Sequence, residues 1–198
     1  MSIKKKVKAV EKLYEELSRE MQLFTQGTNL HCVSGCGKCC FKPDIDATIL
    51  EFLPLALHLH TQGEAEKFLE KLKTFDSSQV CAVLLALGTD KQQGKCTQYN
   101  YRGMICRLFG FSLAFDKYGS KRLSTCNVIK TERVPELQRA EAWIKEGRPA
   151  PVMRNYYFRL CNIDYRLTEK FYPINTAIRL ALEEVLAYYS YRSPLKAS

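Results

Sequence analysis

"LHCVSGCGKCCFKPD", residues 30–44, places four cysteines, Cys32, Cys36, Cys39 and Cys40, within nine positions. Cys36-Gly-Lys-Cys39 is a two-residue-spaced pair, which lets two sulfurs reach one metal ion from a tight turn. Gly35 and Gly37 flank Cys36 and permit unusual backbone angles and close approach. The same spacing serves thioredoxin-like redox chemistry when it follows a strand and opens a helix. Here a helix and loop precede it. With Cys32 and Cys40 added, four thiolates make a complete shell for zinc or for one iron–sulfur cluster. Adjacent Cys39 and Cys40 are expected to diverge, one serving this centre and the other bridging or binding a second metal. His31 reads as a solvent-exposed loop histidine rather than a ligand.

The surrounding chain sets the context of those thiols. It has 198 residues, 46% of them apolar, enough to bury one ordinary core. The opening MSIKKKVKAVEKLYEEL has no apolar run after its basic start, and no stretch reaches the roughly 18 apolar residues of a membrane span. A cytoplasmic protein without a membrane partner is expected, and in that compartment nine cysteines read as metal ligands or redox groups before disulfides. The net charge of +9 is in part compensation, since eight thiolates and two divalent ions lower it to about +5. Lys4, Lys5, Lys6 and Lys8 read as a solvated helix face, so nucleic acid is not the expected partner.

Helical spacing dominates both ends. Ile3, Val7, Val10, Tyr14, Leu17, Met21 and Phe24 form one stripe that Gly27 ends. About three heptads allow either packing on the protein's own body, as a monomer, or a homodimer through this N-terminal helix. The expected division is an N-terminal helix over 1–28 and a cysteine-cluster metal-binding domain over 29–198. Thr48 and Glu51 have capping-box spacing, and Pro54 restarts the helix that follows. Glu64–Phe75 and Val80–Leu87 are further helix candidates. Pro173 opens a core helix with Ile174, Ala177, Ile178, Ala181, Leu182, Val185 and Leu186 in register. Phe109, Phe111, Leu113 and Phe115 alternate with small or polar residues before the turn Asp116–Ser120, which predicts a β-hairpin. The predicted fold class is mainly α, a single helical domain with a small β-hairpin beside a cysteine-rich metal site.

The distal cysteines fall on this frame. Cys96 follows Gly94, while Cys106 and Cys126 stand at the two ends of the hairpin segment. The run Cys-x3-Cys-Gly-x-Cys-Cys, then "GKCTQYNYRGMICR", then "LFG" and a hairpin returning to Cys126, resembles the YkgJ family of cysteine cluster proteins, the CxxCxxCC zinc- or iron-chelating domain. The resemblance spans Cys32 to Cys126. That family's second block, Gly-x-Cys-x-x-Tyr-x-x-Arg-Pro-x-x-Cys-Arg, is matched at Gly94, Cys96, Tyr99, Arg102, Cys106 and Arg107, with Gly103 where proline is usual. Cys81-Ala-Val-Leu84 corresponds to its Cys-Pro-x-Leu element without the proline and with a longer insertion after it.

The resemblance implies eight metal ligands, Cys32, Cys36, Cys39, Cys40, Cys81, Cys96, Cys106 and Cys126. Arg102 and Arg107 are expected beside the cofactor, donating hydrogen bonds to sulfur and offsetting thiolate charge. Cys161 reads as a buried small hydrophobe. Eight sulfurs with an adjacent pair suit a multinuclear centre, and iron, as an iron–sulfur cluster, is favoured over zinc. Some relatives are flagellin lysine N-methylases and many have no assigned activity. The expected function is therefore a metalloprotein supporting modification or redox chemistry on an unknown protein or small-molecule substrate. The alternatives are a zinc-stapled interaction module without catalysis, and a thiol redox sensor.

Overall fold

The structure is a computed structural model, and the residues it describes are 1–33, 36–42, 44–75, 80–87 and 93–191, so Gly35 lies outside them. The first helix, α1 (Ile3–Thr28), starts at Ser2, whose hydroxyl accepts the Lys5 N–H, and ends at Asn29 in the left-handed region at φ 56°. Its stripe is buried as the spacing predicts, from Ile3 through Val10 and Leu17 to Phe24. Two more short elements follow, β1 (Asp46–Ala47) and a 3-10 turn at Leu50–Phe52, leading into α2 (Leu53–Thr61) with Pro54 in its first turn. Glu64 precedes α3 (Ala65–Lys73), close to the predicted span.

The run Val80–Leu87 does not form the predicted helix. Cys81, Ala82 and Val83 are buried, and Leu84–Ala86 is a strand, β2, paired antiparallel with β3 (Gly94–Cys96) in the register Leu84↔Cys96. A short apolar run has no period to distinguish helix from buried extended chain, and pairing with the later Gly-Lys-Cys segment decides it. After a 3-10 turn at Tyr99–Tyr101 comes the five-residue α4 (Met104–Leu108). The hairpin is present as β4 (Ser112–Phe115) and β5 (Lys121–Ser124), starting later than the alternation from Phe109 implies. Asp116 carries its turn, accepting N–H bonds from Tyr118 and Ser120 at 2.9 Å, while Gly119 adopts φ +80°. Three helices follow, α5 (Asn127–Glu132), α6 (Val134–Lys145) and α7 (Met153–Ile163), then β6 (Tyr172–Pro173) and α8 (Ile174–Ser190).

Two packed cores result. The larger centres on α8, whose Ala177, Ile178, Ala181, Leu182 and Val185 are fully buried against α2, α3 and the 3-10 turn. The β1–β6 pair, Asp46↔Pro173, fixes where α8 begins. The smaller core gathers Phe24 and Leu30 from α1 and its exit with Leu113, Ile129, Ala140 and Ala150. The apolar stripe of α1 is covered by α2, α6 and α7 of the same chain. Lys6 departs from the solvated basic face: it is 8% exposed and pairs with Asp164 at 2.5 Å. Glu16 with Arg159 and Glu20 with Tyr156 extend that polar seam between α1 and α7.

Gly27 lies under Trp143, and a Cβ there would stand 2.1 Å from the indole. The indole is itself held by its N–H to the Pro149 carbonyl at 2.9 Å and by Arg148 stacked 4.8 Å above it. Gly27→Ala should therefore lower stability by about 1–3 kcal/mol through overpacking. Denaturant unfolding measures it, and adding Trp143→Leu should recover much of the loss by opening the space.

Candidate metal centre

The cysteine loop is held by its main chain. The Cys40 N–H donates to the Gly37 carbonyl at 2.8 Å, closing a tight turn, and Cys36 forms a β-bridge with Gln93. That bridge presses the loop onto β3, where a Cβ on Gly37 would meet the Gly94 backbone at 3.0 Å and one on Gly94 would meet the Leu84 side chain at 2.7 Å. The glycines beside Cys36 and Cys96 are thus required by backbone contact. On the other side, the Cys40 carbonyl accepts the Cys81 N–H at 3.0 Å. Buried Asn175 of α8 then fastens the Cys81 segment, accepting the Ala82 N–H at 2.8 Å and donating to the Val80 carbonyl at 3.0 Å.

Cys106 enters on α4 through a residue whose wider role the capping-box pattern hides. Glu51 is fully buried, and its Oε1 accepts the Thr48 N–H at 2.8 Å and the Thr48 hydroxyl at 3.1 Å, as the capping-box spacing predicts in part. Its Oε2 accepts the Ile105 N–H at 2.9 Å, so one carboxylate joins two helix starts and sets α4 in place. Burial pushes the Glu51 carboxyl up against these donors, and the neighbouring Tyr157 hydroxyl is pushed up by burial and then by that carboxylate. Gly103 is explained here: a Cβ would meet the Phe52 ring at 2.8 Å and the Glu51 carboxylate at 3.1 Å, leaving no room for a proline ring. Cys126 stands at the start of α5 where β5 exits.

These segments bring all eight predicted cysteines into one electrostatic neighbourhood. Cys39 acts on Cys32, Cys40, Cys81, Cys96 and Cys106, and Cys32 is acted on in turn by Cys126 and Cys36. Cys161 on α7 is not among the sulfurs that act on one another, and it is half-buried rather than the buried residue its apolar surroundings suggest. Cys39 and Cys40 do not simply diverge: their thiols interact, and the Cys40 S–H favours the Cys39 thiolate. With backbone N–H groups and Arg102 assisting, Cys39, solvent-accessible but partly desolvated by its neighbours, is drawn down to about 6, while Cys40 is pushed up. Partial desolvation by the surrounding chain and then neighbouring sulfurs raise Cys32, which keeps solvent access, to about 11. Burial, with Cys96 and Cys39 nearby, raises Cys81 to about 11, and burial raises Cys96 and Cys106 as well. Among the described residues no three ligand-type side chains close to coordination distance around one point.

The donor set nevertheless fits a soft or borderline metal, because its sulfurs oppose one another's ionisation and a bound cation relieves that. Arg102 supports the fit. Its guanidinium lies 3.9 Å over Tyr99 and favours the thiolates of Cys32, Cys39 and Cys96, while its Nε–H is buried without a partner. Arg107 is placed differently from the expectation. It donates to the Arg102 carbonyl at 3.1 Å and the Asn100 carbonyl at 2.6 Å and stacks on Tyr14 at 4.4 Å, so its hydrogen bonds brace the loop while its charge is felt by Cys106.

Two outcomes follow for the metal-free protein. Alkylation at pH 7 should label Cys39 ahead of Cys32 and Cys81, with a rate that rises through about pH 6 and levels off while those two, raised to about 11, remain slow. Mass spectrometry of peptides labelled across pH 5–9 reads this directly. Glu51→Gln should cost about 1–3 kcal/mol by spoiling one acceptor and should speed labelling of Cys106. Because Glu51 is raised in the fold, its contribution is fully present below the ordinary carboxylate range and lost as pH rises through its folded value, so the native advantage over Glu51→Gln should shrink with pH.

Residues 31–127 match the family model CxxCxxCC, described as "Putative zinc- or iron-chelating domain". Zinc and iron, the metals expected from the thiol set, are the two that this description names. No curated protein and no solved structure matches the chain. The match spans every one of the eight clustered cysteines and the arginines beside them, and the chain carries a domain of the CxxCxxCC family.

Proposed function

We propose that this protein is a cysteine-ligated iron or zinc protein in which Cys32, Cys36, Cys39, Cys40, Cys81, Cys96, Cys106 and Cys126 supply one multinuclear centre. The observation that carries the reading is the position of Cys39, electrostatically linked to five other thiols from four separate segments. A bound iron–sulfur cluster or ion pair supplies redox or Lewis-acid chemistry there. Cys39 offers a ready thiolate to start loading, the raised thiols give up protons as they ligate, and Arg102 balances the sulfur charge on the loop side. Cys32 and Cys39 are exposed, which leaves a path for a substrate to be modified or reduced. We place this activity in the cytoplasm, where thiols stay reduced. No helix among the described residues is long and apolar enough to cross a membrane.

The zinc-stapled module is a second reading with its own support. The elements that carry sulfur are short: β2 and β3 have three residues each and α4 has five. Such elements are not stable alone, and a closed metal site holds them without catalysis.

Anaerobic purification with metal analysis and absorption spectroscopy tests both. The proposed centre should bring stoichiometric iron with sulfide absorption, and Cys36→Ser or Cys39→Ser should lower metal content sharply. Stoichiometric zinc in a colourless protein selects the staple. Metal-free protein with full stability and freely reactive thiols rejects both. Titrating zinc into the reduced chain in buffers of different ionisation enthalpy should show close to one proton released per raised thiol bound, with affinity rising from pH 6 to pH 8 as protons compete less.

A further inference from the structure

The two cores of the fold divide the sulfurs between them. Cys40, Cys81, Cys96 and Cys106 all pack on the larger core, and Cys126 packs on the smaller one, where fully buried Leu30 leads into Cys32. Cys36 and Cys39, on the loop, belong to neither. We propose that the eight sulfurs form two four-thiolate halves: a deep half of Cys40, Cys81, Cys96 and Cys106 that keeps its metal as a fastener, and an outer half of Cys32, Cys36, Cys39 and Cys126 whose metal exchanges and faces the substrate. The division rests on these cysteines being metal ligands.

The deep four are tied to one another through the main chain. The Cys40 carbonyl accepts the Cys81 N–H at 3.0 Å, the Cys81 carbonyl accepts the Leu84 N–H at 2.9 Å, and Leu84 stands opposite Cys96 in the β2–β3 pair. Cys106 follows Ile105, whose N–H is held by Glu51 at 2.9 Å. None of the four is exposed, and Cys81 is buried. Four thiolates fill a tetrahedral shell or hold one cluster, so the deep set needs no sulfur from outside it. Lys71 donates to the Ala82 carbonyl at 3.2 Å and puts a cation on this side, where its charge acts on Cys81.

The outer four are held more lightly. Cys36 is joined to β3 by its bridge to Gln93, Cys126 heads the six-residue α5, and Cys32 and Cys39 are exposed. The strongest influences among the sulfurs fall along the same line. Cys40 and Cys106 each feel Cys81 and Cys39, and Cys81 feels Cys96 and Cys39, whereas Cys32 feels Cys39, Cys126 and Cys36. Cys39 reaches both sets, as the residue at a junction must, and its neighbour Cys40 begins the deep one. A metal in the deep half is released only when the larger core opens, while one in the outer half needs only the loop and the start of α5 to part. Fastening and reactivity thus fall to different sulfurs.

The test follows metal and thiols together on the protein purified anaerobically. Once its metal content is counted, 4-(2-pyridylazo)resorcinol, a chelator that colours on taking up zinc or iron(II), is added with N-ethylmaleimide. Mass spectrometry then identifies the alkylated cysteines, with fragmentation between Cys39 and Cys40 to separate the adjacent pair. Two phases are expected. About half of the metal should leave first, with alkylation of Cys32, Cys36, Cys39 and Cys126, and the rest about tenfold more slowly, with alkylation of the other four. Cys32→Ser, at an exposed position, and Cys126→Ser should each remove the fast phase and keep the slow one. One phase in which all eight thiols react together, a fast set that mixes the two groups, or variants that lose both phases or neither overturn the division while leaving the metal centre standing. A purified protein without metal overturns the centre and the division together, and the initial metal count tells the two failures apart.

Discussion

Asn175 holds the arrangement in place with two hydrogen bonds. From the first turn of the most deeply buried helix it grips the backbone on both sides of Cys81, and everything that bears sulfur nearby hangs from that grip. Cys81 holds the Cys40 carbonyl, Val83 accepts the Thr97 N–H at 2.8 Å, and the β2–β3 pair carries Cys96 and the bridge to Cys36. Left unpaired in that interior, each of these backbone groups would cost about 1–3 kcal/mol. A polar side chain in an apolar helix is therefore what lets an irregular segment dock on the core.

The sulfurs themselves are organised by frustration. Packing that brings many thiols together from distant segments also makes their thiolates repel, so most stay protonated and one, Cys39, carries the charge. Arg102, braced from below by Arg107 and from the side by Tyr99, is the fixed positive charge that makes this tolerable. Glu51 extends the same logic away from sulfur. It is an acid kept in the interior with three donors facing it, and its bond to Ile105 places Cys106.

Periodicity made much of this legible from sequence. The α1 stripe, the α8 run and the hairpin turn each repeat one signal over enough residues to fix type and face, and most of the residues that spacing selects on α1 and α8 are buried, with Met21 and Leu186 half-buried and Lys6, Leu13, Thr28 and Asn175 buried outside the pattern. The crowding of cysteines and the Gly94–Arg107 block led to the family. Val80–Leu87 misled because its apolar residues are consecutive, and the deciding partner, Gly94–Cys96, is brought to it only by folding. Asn175 had no signal, being one of two adjacent polar residues, with Thr176, in the first turn of a helix. The second bond of Glu51 was hidden behind a local pattern that already explained it.

Because the described part of the sulfur loop is held through its own carbonyls and N–H groups, the side chains of Lys38 and Lys42 take no part in fixing it. Both lysines are exposed, as are Gln93 and Lys95 on the β3 segment beside the loop. The rim around the thiols is thus a removable face. Its charge and shape can be changed by substitution while the sulfurs stay where the main chain puts them, so what the thiols meet at the surface is set separately from how they are held.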